Sequence, residues 1–388
     1  MRVLHVIPAV AQAYGGPSHA IVGMGRALPR AGVQVLIATT DADGPHGRLP
    51  ISTGTELTWQ GVPTIFFHRQ WSEGFKYSKP LAKWLYEHVV DFDVVHVHAV
   101  FSHACLAAAS ACSRRRVPYI VRPLGTLDPW SLQQKPIRKR VLWHIGGQRM
   151  LARAAAVHYT TISEQRLAER PLGLRRGVVI PLGVDHELFT DAASDDGSGL
   201  CGGHPYVLVL GRLHPKKGLE PFIEIFLHVT NSADLTGWRL AIAGDGDPTY
   251  VAALKRLVRQ RGGDERIRFV GWLAGARKAV ALREAALLAL PSRQENFGVV
   301  VAEALACGTP VLVSNHVNLA EDIAAAGAGW VVPLERAAML SSLTQALKDE
   351  DERRSRGIAG RELARAHFTW PAVANRLAGL YAEVARVA

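Results

Sequence analysis

The chain has 388 residues, long enough for two domains, and 48% hydrophobic content gives each a core. No apolar run reaches membrane-spanning length, and Met1-Arg2 passes straight into a strand-like run, which argues against a transmembrane helix and a signal peptide. Residues 1–190 carry +10 of the net charge of +11, so one half suits an anionic membrane face or an anionic acceptor; nucleic acid is disfavoured because its aromatic-interleaved motifs are missing.

In chain order, residues 3–8 form a first strand. Gly15-Gly16-Pro17 follows, and proline in the first turn opens a helix over 17–30. This is the start of a nucleotide-type βαβ unit, without the G-x-G-x-x-G spacing of dinucleotide binders. Strands are predicted at 33–38, 62–67, 94–98 and 119–122, with helices at 81–89 and 103–113 and a polar loop over 41–59. His96, His98 and His103 cluster near the end of the fourth strand. With no acid beside them they read as packed histidines, His98 being the best placed to face an interdomain cleft. Over 135–143, Ile137, Val141, Leu142 and Ile145 recur at helical spacing beside Lys135, Arg138, Lys139 and Arg140. The common outcome for such a pattern is an apolar face turned into the core. The other is an interfacial helix resting on anionic lipid. Further strands fall at 155–160 and 178–181, and 191–204 is polar, small and flexible, a linker.

Alternation restarts in the second half, with strands at 206–210, 239–243, 266–270, 286–290, 311–313 and 329–332 and helices between them, the last over 370–387. Strands alternating with helices predict parallel sheets in both halves. After the first of these strands, Gly211 permits close approach, while Arg212 and Lys217 can neutralise a diphosphate. After the fourth comes Pro291-Ser292-Arg293-Gln294-Glu295-Asn296-Phe297-Gly298-Val299, with Asn296 a candidate N-cap and a helix to about residue 306. A helix start there offers amide N–H groups to a phosphate. Glu295 and Glu303, eight residues apart, return to within about 80° of one another on a helix and can accept hydrogen bonds from sugar or ribose hydroxyls. Asp-x-Asp occurs at 41–43, 91–93 and 245–247, each in a turn or strand entry, so none is assigned a metal. The cysteines, Cys105, Cys112, Cys201 and Cys307, make no metal pattern and fit a reducing cytoplasm.

Taken together, these stretches resemble the retaining glycosyltransferases of family 4, with the GT-B fold. The resemblance rests on Gly15-Gly16-Pro17, Gly211-Arg212-Leu213 with Lys217-Gly218, Arg268-Phe269-Val270-Gly271, Glu295-x-Phe297-Gly298 with Glu303-Ala304, Gly308-Thr309-Pro310-Val311 and Phe368-Thr369-Trp370. It implies an α/β architecture of two Rossmann-like domains whose parallel sheets face an interdomain cleft. An acceptor domain would span 1–190 and a donor domain 205–367, with 368–388 packing back on the first. It implies that Arg212 and Lys217 bind the donor diphosphate and that Glu303 takes the ribose. Glu295 and the backbone at Phe297, Gly298 and Val299 would hold the sugar, Gly16 would approach the phosphates, and the backbone near Trp272 would hold the base. His98 and Arg122 fall on the acceptor side. Such enzymes use a UDP- or GDP-sugar as donor, with no cofactor and no metal. The histidine many members place after the fifth strand is missing here. Arg122-Pro123-Leu124-Gly125 with Pro129-Trp130 instead resembles exopolysaccharide-type members, whose acceptors are lipid-diphosphate-linked sugars. The expected activity is retaining hexosyl transfer to a saccharide or such a lipid-linked saccharide, in the cytoplasm, with the inner membrane face as the surface a peripheral enzyme would use. The rivals are a GT-B epimerase or disaccharide phosphorylase, and a non-catalytic nucleotide-sugar binder.

Overall fold

The computed structural model describes residues 1–45, 47–190 and 199–387. The chain divides into two compact units, Met1–Gly183 with Trp370–Ala388, and Val184–Thr369. The linker read from composition starts at 191 and the resemblance ends the second domain at 367, while the chain passes between the compact units at Gly183–Val184 and Thr369–Trp370. The reason is local pairing. Val184 N–H donates to the Phe368 carbonyl at 2.7 Å, and Leu188 and Phe189 are buried within the second unit. Of the linker read at 191–204, residues 191–198 lie outside the described residues, and 199–203 form turns.

The strands of the first unit are β1 (Arg2–Ala9), β2 (Gln34–Thr40), β3 (Ala42–Asp43), β4 (Gly47–Arg48), β5 (Glu56–Trp59), β6 (Val62–Phe67), β7 (Val94–His98), β8 (Tyr119–Arg122), β9 (Ala156–Tyr159) and β10 (Gly177–Val179). Eight of them form one sheet in the order β10-β9-β8-β7-β1-β2-β6-β5, parallel except for the β5–β6 pair. Every residue of β7, β8 and β9 is buried, so both faces of the sheet centre are covered. The helix Trp370–Val387 belongs to this unit. The indole of Trp370 fills the space where side chains at Gly23 and Gly183 would stand, a Cβ at either meeting the ring at 2.0 and 2.3 Å.

Two expectations are corrected in this unit. Residues 41–59 are not a plain loop: β3 and β4 pair as a small hairpin, and β5 pairs antiparallel with β6. The β5–β6 turn places Gln60 and Gly61 at φ 47° and 82°, the left-handed pair that suits a two-residue hairpin, but a short polar strand leaves little periodicity to read. The second correction concerns the helix Pro136–Leu142. Only Leu142 of its apolar stripe is buried, while Ile137, Val141 and Ile145 are 80%, 51% and 67% exposed. Part of its basic face turns inward instead. Lys139 Nζ donates to Ser131 Oγ at 2.9 Å and sits over the Phe101 ring, and Arg138 packs on Gly74.

The second unit has β11 (Tyr206–Leu210), β12 (Arg239–Ala243), β13 (Ile267–Gly271), β14 (Leu287–Leu290), β15 (Val311–Ser314) and β16 (Gly329–Val332). They form one all-parallel sheet in the order β13-β12-β11-β14-β15-β16. The chain starts in the middle, builds outward to β13, and returns to the other side of β11 with β14. The gap between β11 and β14 is therefore a topological switch point, and open α/β sheets bind ligands in a crevice at the carboxyl ends of the strands at such a point.

Candidate active site

Two loops meet at that crevice. The one after β11 begins at Gly211, held at φ 144°, whose N–H donates to the Ala243 carbonyl at 3.0 Å. It passes Arg212, which is exposed, makes a short turn at Pro215–Lys217 and reaches Gly218. Gly218 has φ 67°, and a Cβ there would stand 2.4 Å from the Pro291 carbonyl oxygen. Only glycine allows both the left-handed backbone and this approach, which lays the loop against the one after β14. Arg293 N–H donates to the Lys216 carbonyl at 2.7 Å and fastens the two.

Lys217 Nζ and Glu295 Oε2 are consequently 2.5 Å apart, and Lys216 Nζ is 3.9 Å from Glu295 Oε1. Burial alone pushes the Glu295 carboxyl up. The charges of Lys217 and Lys216, with hydrogen bonds from Lys217 and Ser292, outweigh it and hold Glu295 below the usual carboxylate range. The Glu295 backbone is pinned as well, its N–H donating to His316 and its carbonyl accepting from Asn318 N–H. Gly211, Arg212, Lys217, Leu290 and Pro291 line one hollow at this point.

The helix after β14 is Val299–Cys307, and its N-cap is Gly298 at φ 73°, not Asn296. No side chain caps it, because the chain reaches the first turn through a left-handed glycine rather than an extended asparagine. Val301 N–H turns back to the Gly298 carbonyl at 2.7 Å, so the orphan amides at the helix start are those of Val299 and Val300. Phe297 is buried edge-on against Phe368, so its side chain anchors the loop while its backbone stays at the crevice. Glu303 lies on this helix with Oε1 2.7 Å from Lys278 Nζ, on the helix Gly275–Glu284. Trp272, 44% exposed, follows Gly271 at the carboxyl end of β13 on the same sheet edge.

In the first unit, Gly16 opens the helix Gly16–Ala27 after β1, with Ser18 Oγ donating to the Ala11 carbonyl at 3.0 Å. His98 and Arg122 are the last residues of β7 and β8 and are neighbours in register. Both are buried. His103 stands apart, its Nδ1 accepting from Ser78 N–H at 3.2 Å. His98 joins His5, His96 and His158 instead.

Sequence profiles identify both units. Residues 15–183 match the "Glycosyl transferase 4-like domain" and residues 193–363 match "Glycosyl transferases group 1". The chain belongs to glycosyltransferase family 4. Among curated relatives, the D-inositol 3-phosphate glycosyltransferase of Xylanimonas cellulosilytica is 28% identical over 310 residues, covering 76% of this chain and 73% of that one. The phosphatidyl-myo-inositol mannosyltransferase of Mycolicibacterium smegmatis is 27% identical over 396 residues, covering 99% and 94%. The solved structure of HepE from Anabaena in complex with UDP aligns with a TM-score of 0.79 at 20% identity, over 99% of this chain and 100% of that one. The fold of this glycosyltransferase is GT-B.

Sequence reasoning missed two cations that the fold brings to the predicted acids, Lys216 beside Glu295 and Lys278 beside Glu303. Lys216 was legible as the neighbour of Lys217. Lys278 was not, because nothing local says that its helix lies beside Glu303. One acid of each Asp-x-Asp turn holds structure. Asp247 caps the helix Pro248–Gln260, Asp41 accepts from Arg69 N–H, and Asp93 accepts from Arg2 N–H.

Proposed function

We propose that this glycosyltransferase moves a hexosyl group from a UDP- or GDP-sugar to a saccharide or lipid-diphosphate-linked saccharide, keeping the anomeric configuration. The observation that carries this is the Lys217–Glu295 pair at the switch point, beside the uncapped start of the helix Val299–Cys307. Arg212 and Lys217 neutralise the diphosphate, and Glu303 accepts from the ribose hydroxyls. Glu295 and the backbone at Phe297, Gly298 and Val299 hold the sugar, with the base near Trp272 and Gly16 close to the phosphates. His98 and Arg122 serve the acceptor. The bond from C1 to the diphosphate oxygen breaks, and one from C1 to the acceptor oxygen forms on the same face. The acceptor proton passes to the leaving phosphate, and the two cations stabilise the charge that develops there. HepE, of the same fold, has been solved with UDP and with UDP-glucose, which supports a nucleotide-sugar donor.

The exposed Ile137, Val141 and Ile145, flanked by exposed Lys135, Arg140 and Arg149, support a resting place on anionic lipid for the acceptor unit. Among the described residues no helix is long and apolar enough to cross a membrane. A thermal-shift panel of UDP- and GDP-sugars tests the central reading. One donor should raise the melting temperature by linkage and, with acceptor, release its nucleoside diphosphate. A panel with no stabilising donor sinks it.

A further inference from the structure

The first unit holds a chain of buried rings that the transfer chemistry above does not use. His158 Nε2 lies 2.8 Å from the Ile180 carbonyl, and His158 Nδ1 lies 3.3 Å from His96 Nε2. His96 Nδ1 is 2.8 Å from Tyr381 Oη, which is 3.3 Å from His5 Nε2. His5 Nδ1 is 3.0 Å from His98 Nε2. The chain runs across β9, β7 and β1 and takes in the closing helix through Tyr381.

One end fixes the direction of the whole. A carbonyl only accepts, so His158 donates from Nε2, and the neutral ring must accept at Nδ1. His96 then donates from Nε2 and accepts at Nδ1 from the Tyr381 hydroxyl. The Tyr381 oxygen accepts from His5 Nε2, and His5 Nδ1 accepts from His98 Nε2. All four imidazoles carry their proton on Nε2. Neutrality follows from burial, reinforced by the Arg122 charge; together they hold His5 and His158 down to about 3, with His96 and His98 also well below the ordinary value.

The other end is open. His98 Nδ1, left with a lone pair, has no hydrogen-bond partner among the described residues, nor do Arg122 Nε and Nη1. These are a buried acceptor and buried donors on adjacent strands, at their carboxyl ends. Unpaired buried groups of this kind are costly and call for a partner. Glu164 is close enough to act on the Arg122 charge, while its oxygens accept from Gly125 N–H and from Thr160 N–H and Oγ1. An anion would meet the lone pair of His98 and the carboxylate of Glu164. A cation would face Arg122 and find the other ring lone pairs in use, although His5, His96 and His98 bring nitrogen atoms within 4.8 Å of one another. A hydroxyl satisfies both sides, donating to His98 Nδ1 and accepting from Arg122.

We propose that His98 and Arg122 seat one hydroxyl group of a polyol acceptor, and that the His5–Tyr381–His96–His158 chain sets the direction of hydrogen bonding at that seat. This rests on reading the first unit as the acceptor side. Tyr381 is then a positioning residue, acting through His5.

The test uses full-length protein with 15N-labelled histidine, read by two-bond proton–nitrogen spectra near neutral pH. His5, His96, His98 and His158 should all show the Nε2–H tautomer, and an Nδ1–H signal from any of them overturns the proposal. Added myo-inositol should move the His98 Nδ1 resonance, and inorganic phosphate should not. A resonance moved by phosphate alone, or by neither, identifies an anion site or a permanently held water and overturns it. Tyr381→Phe should keep the fold, give His98 a mixture of tautomers and weaken myo-inositol binding about five-fold. A single unchanged tautomer in that variant refutes the positioning role. None of these signals needs a nucleotide sugar, so they stand or fall apart from the transfer reading.

Discussion

Replacing Lys217 with alanine separates the donor site from a surface ion pair. Lys217 Nζ is 2.5 Å from Glu295 Oε2, with the two side chains only 14% and 17% exposed. The next cation, Lys216, is 3.9 Å from the other oxygen. In the transfer proposed above, deletion removes a fixed positive charge from the place where the leaving diphosphate gains charge. By analogy with a lost oxyanion-hole donor, the effect on kcat is about 10²- to 10³-fold, or about 3–4 kcal/mol. Deletion also strands Glu295. Breaking a fully buried pair costs about 3–5 kcal/mol. Residual exposure and Lys216 bring this to about 1–2 kcal/mol, a fall of roughly 2–8 °C in melting temperature for a unit of this size. The assay is nucleoside diphosphate release at saturating donor, paired with thermal melts and with Lys217→Arg as the variant that keeps charge. Turnover of Lys217→Ala within about three-fold of the parent would refute the role given to this lysine.

Gly218→Ala should destabilise by about 1–3 kcal/mol and lower turnover together, since it strains a φ of 67° and drives a methyl into the Pro291 carbonyl; an unchanged melt discards the close-approach argument. The buried histidines have folded pKa values below their unfolded ones. Their stabilisation is therefore complete above about pH 6.5 and is lost as pH falls toward about 3, at up to about 1.4 kcal/mol per histidine per pH unit. A melting temperature that stays level between pH 7.5 and pH 5 contradicts this. Ile137, Val141 and Ile145 all changed to serine should leave stability within about 0.5 kcal/mol and reduce binding to phosphatidylserine vesicles, and equal binding would reject the lipid contact. If Arg212 and Lys217 supply the positive charge as proposed, EDTA should leave turnover intact; a loss restored by Mn²⁺ would show that a metal shares that task.

Periodicity in the chain was enough to place the six strands of the second unit and the apolar strands at the centre of the first. The turn glycines, and the two loops that carry Arg212, Lys217 and Glu295, were also legible, because each depends on local backbone freedom. Periodicity failed at β5, whose four residues are half exposed, and at Asn296, where a left-handed glycine took the capping position. It misled at Ile137 and Val141, since spacing shows that a stripe exists and not which way it faces. Partners far apart in sequence were beyond it altogether. Lys278 reaches Glu303, and Tyr381 reaches His96 across 285 positions, only because sheet order and helix docking bring them together. Backbone propensity and side-chain pattern act over a few residues and are written in the sequence. The direction a buried ring donates, and the atom it leaves unpaired, depend on neighbours that only the folded chain supplies.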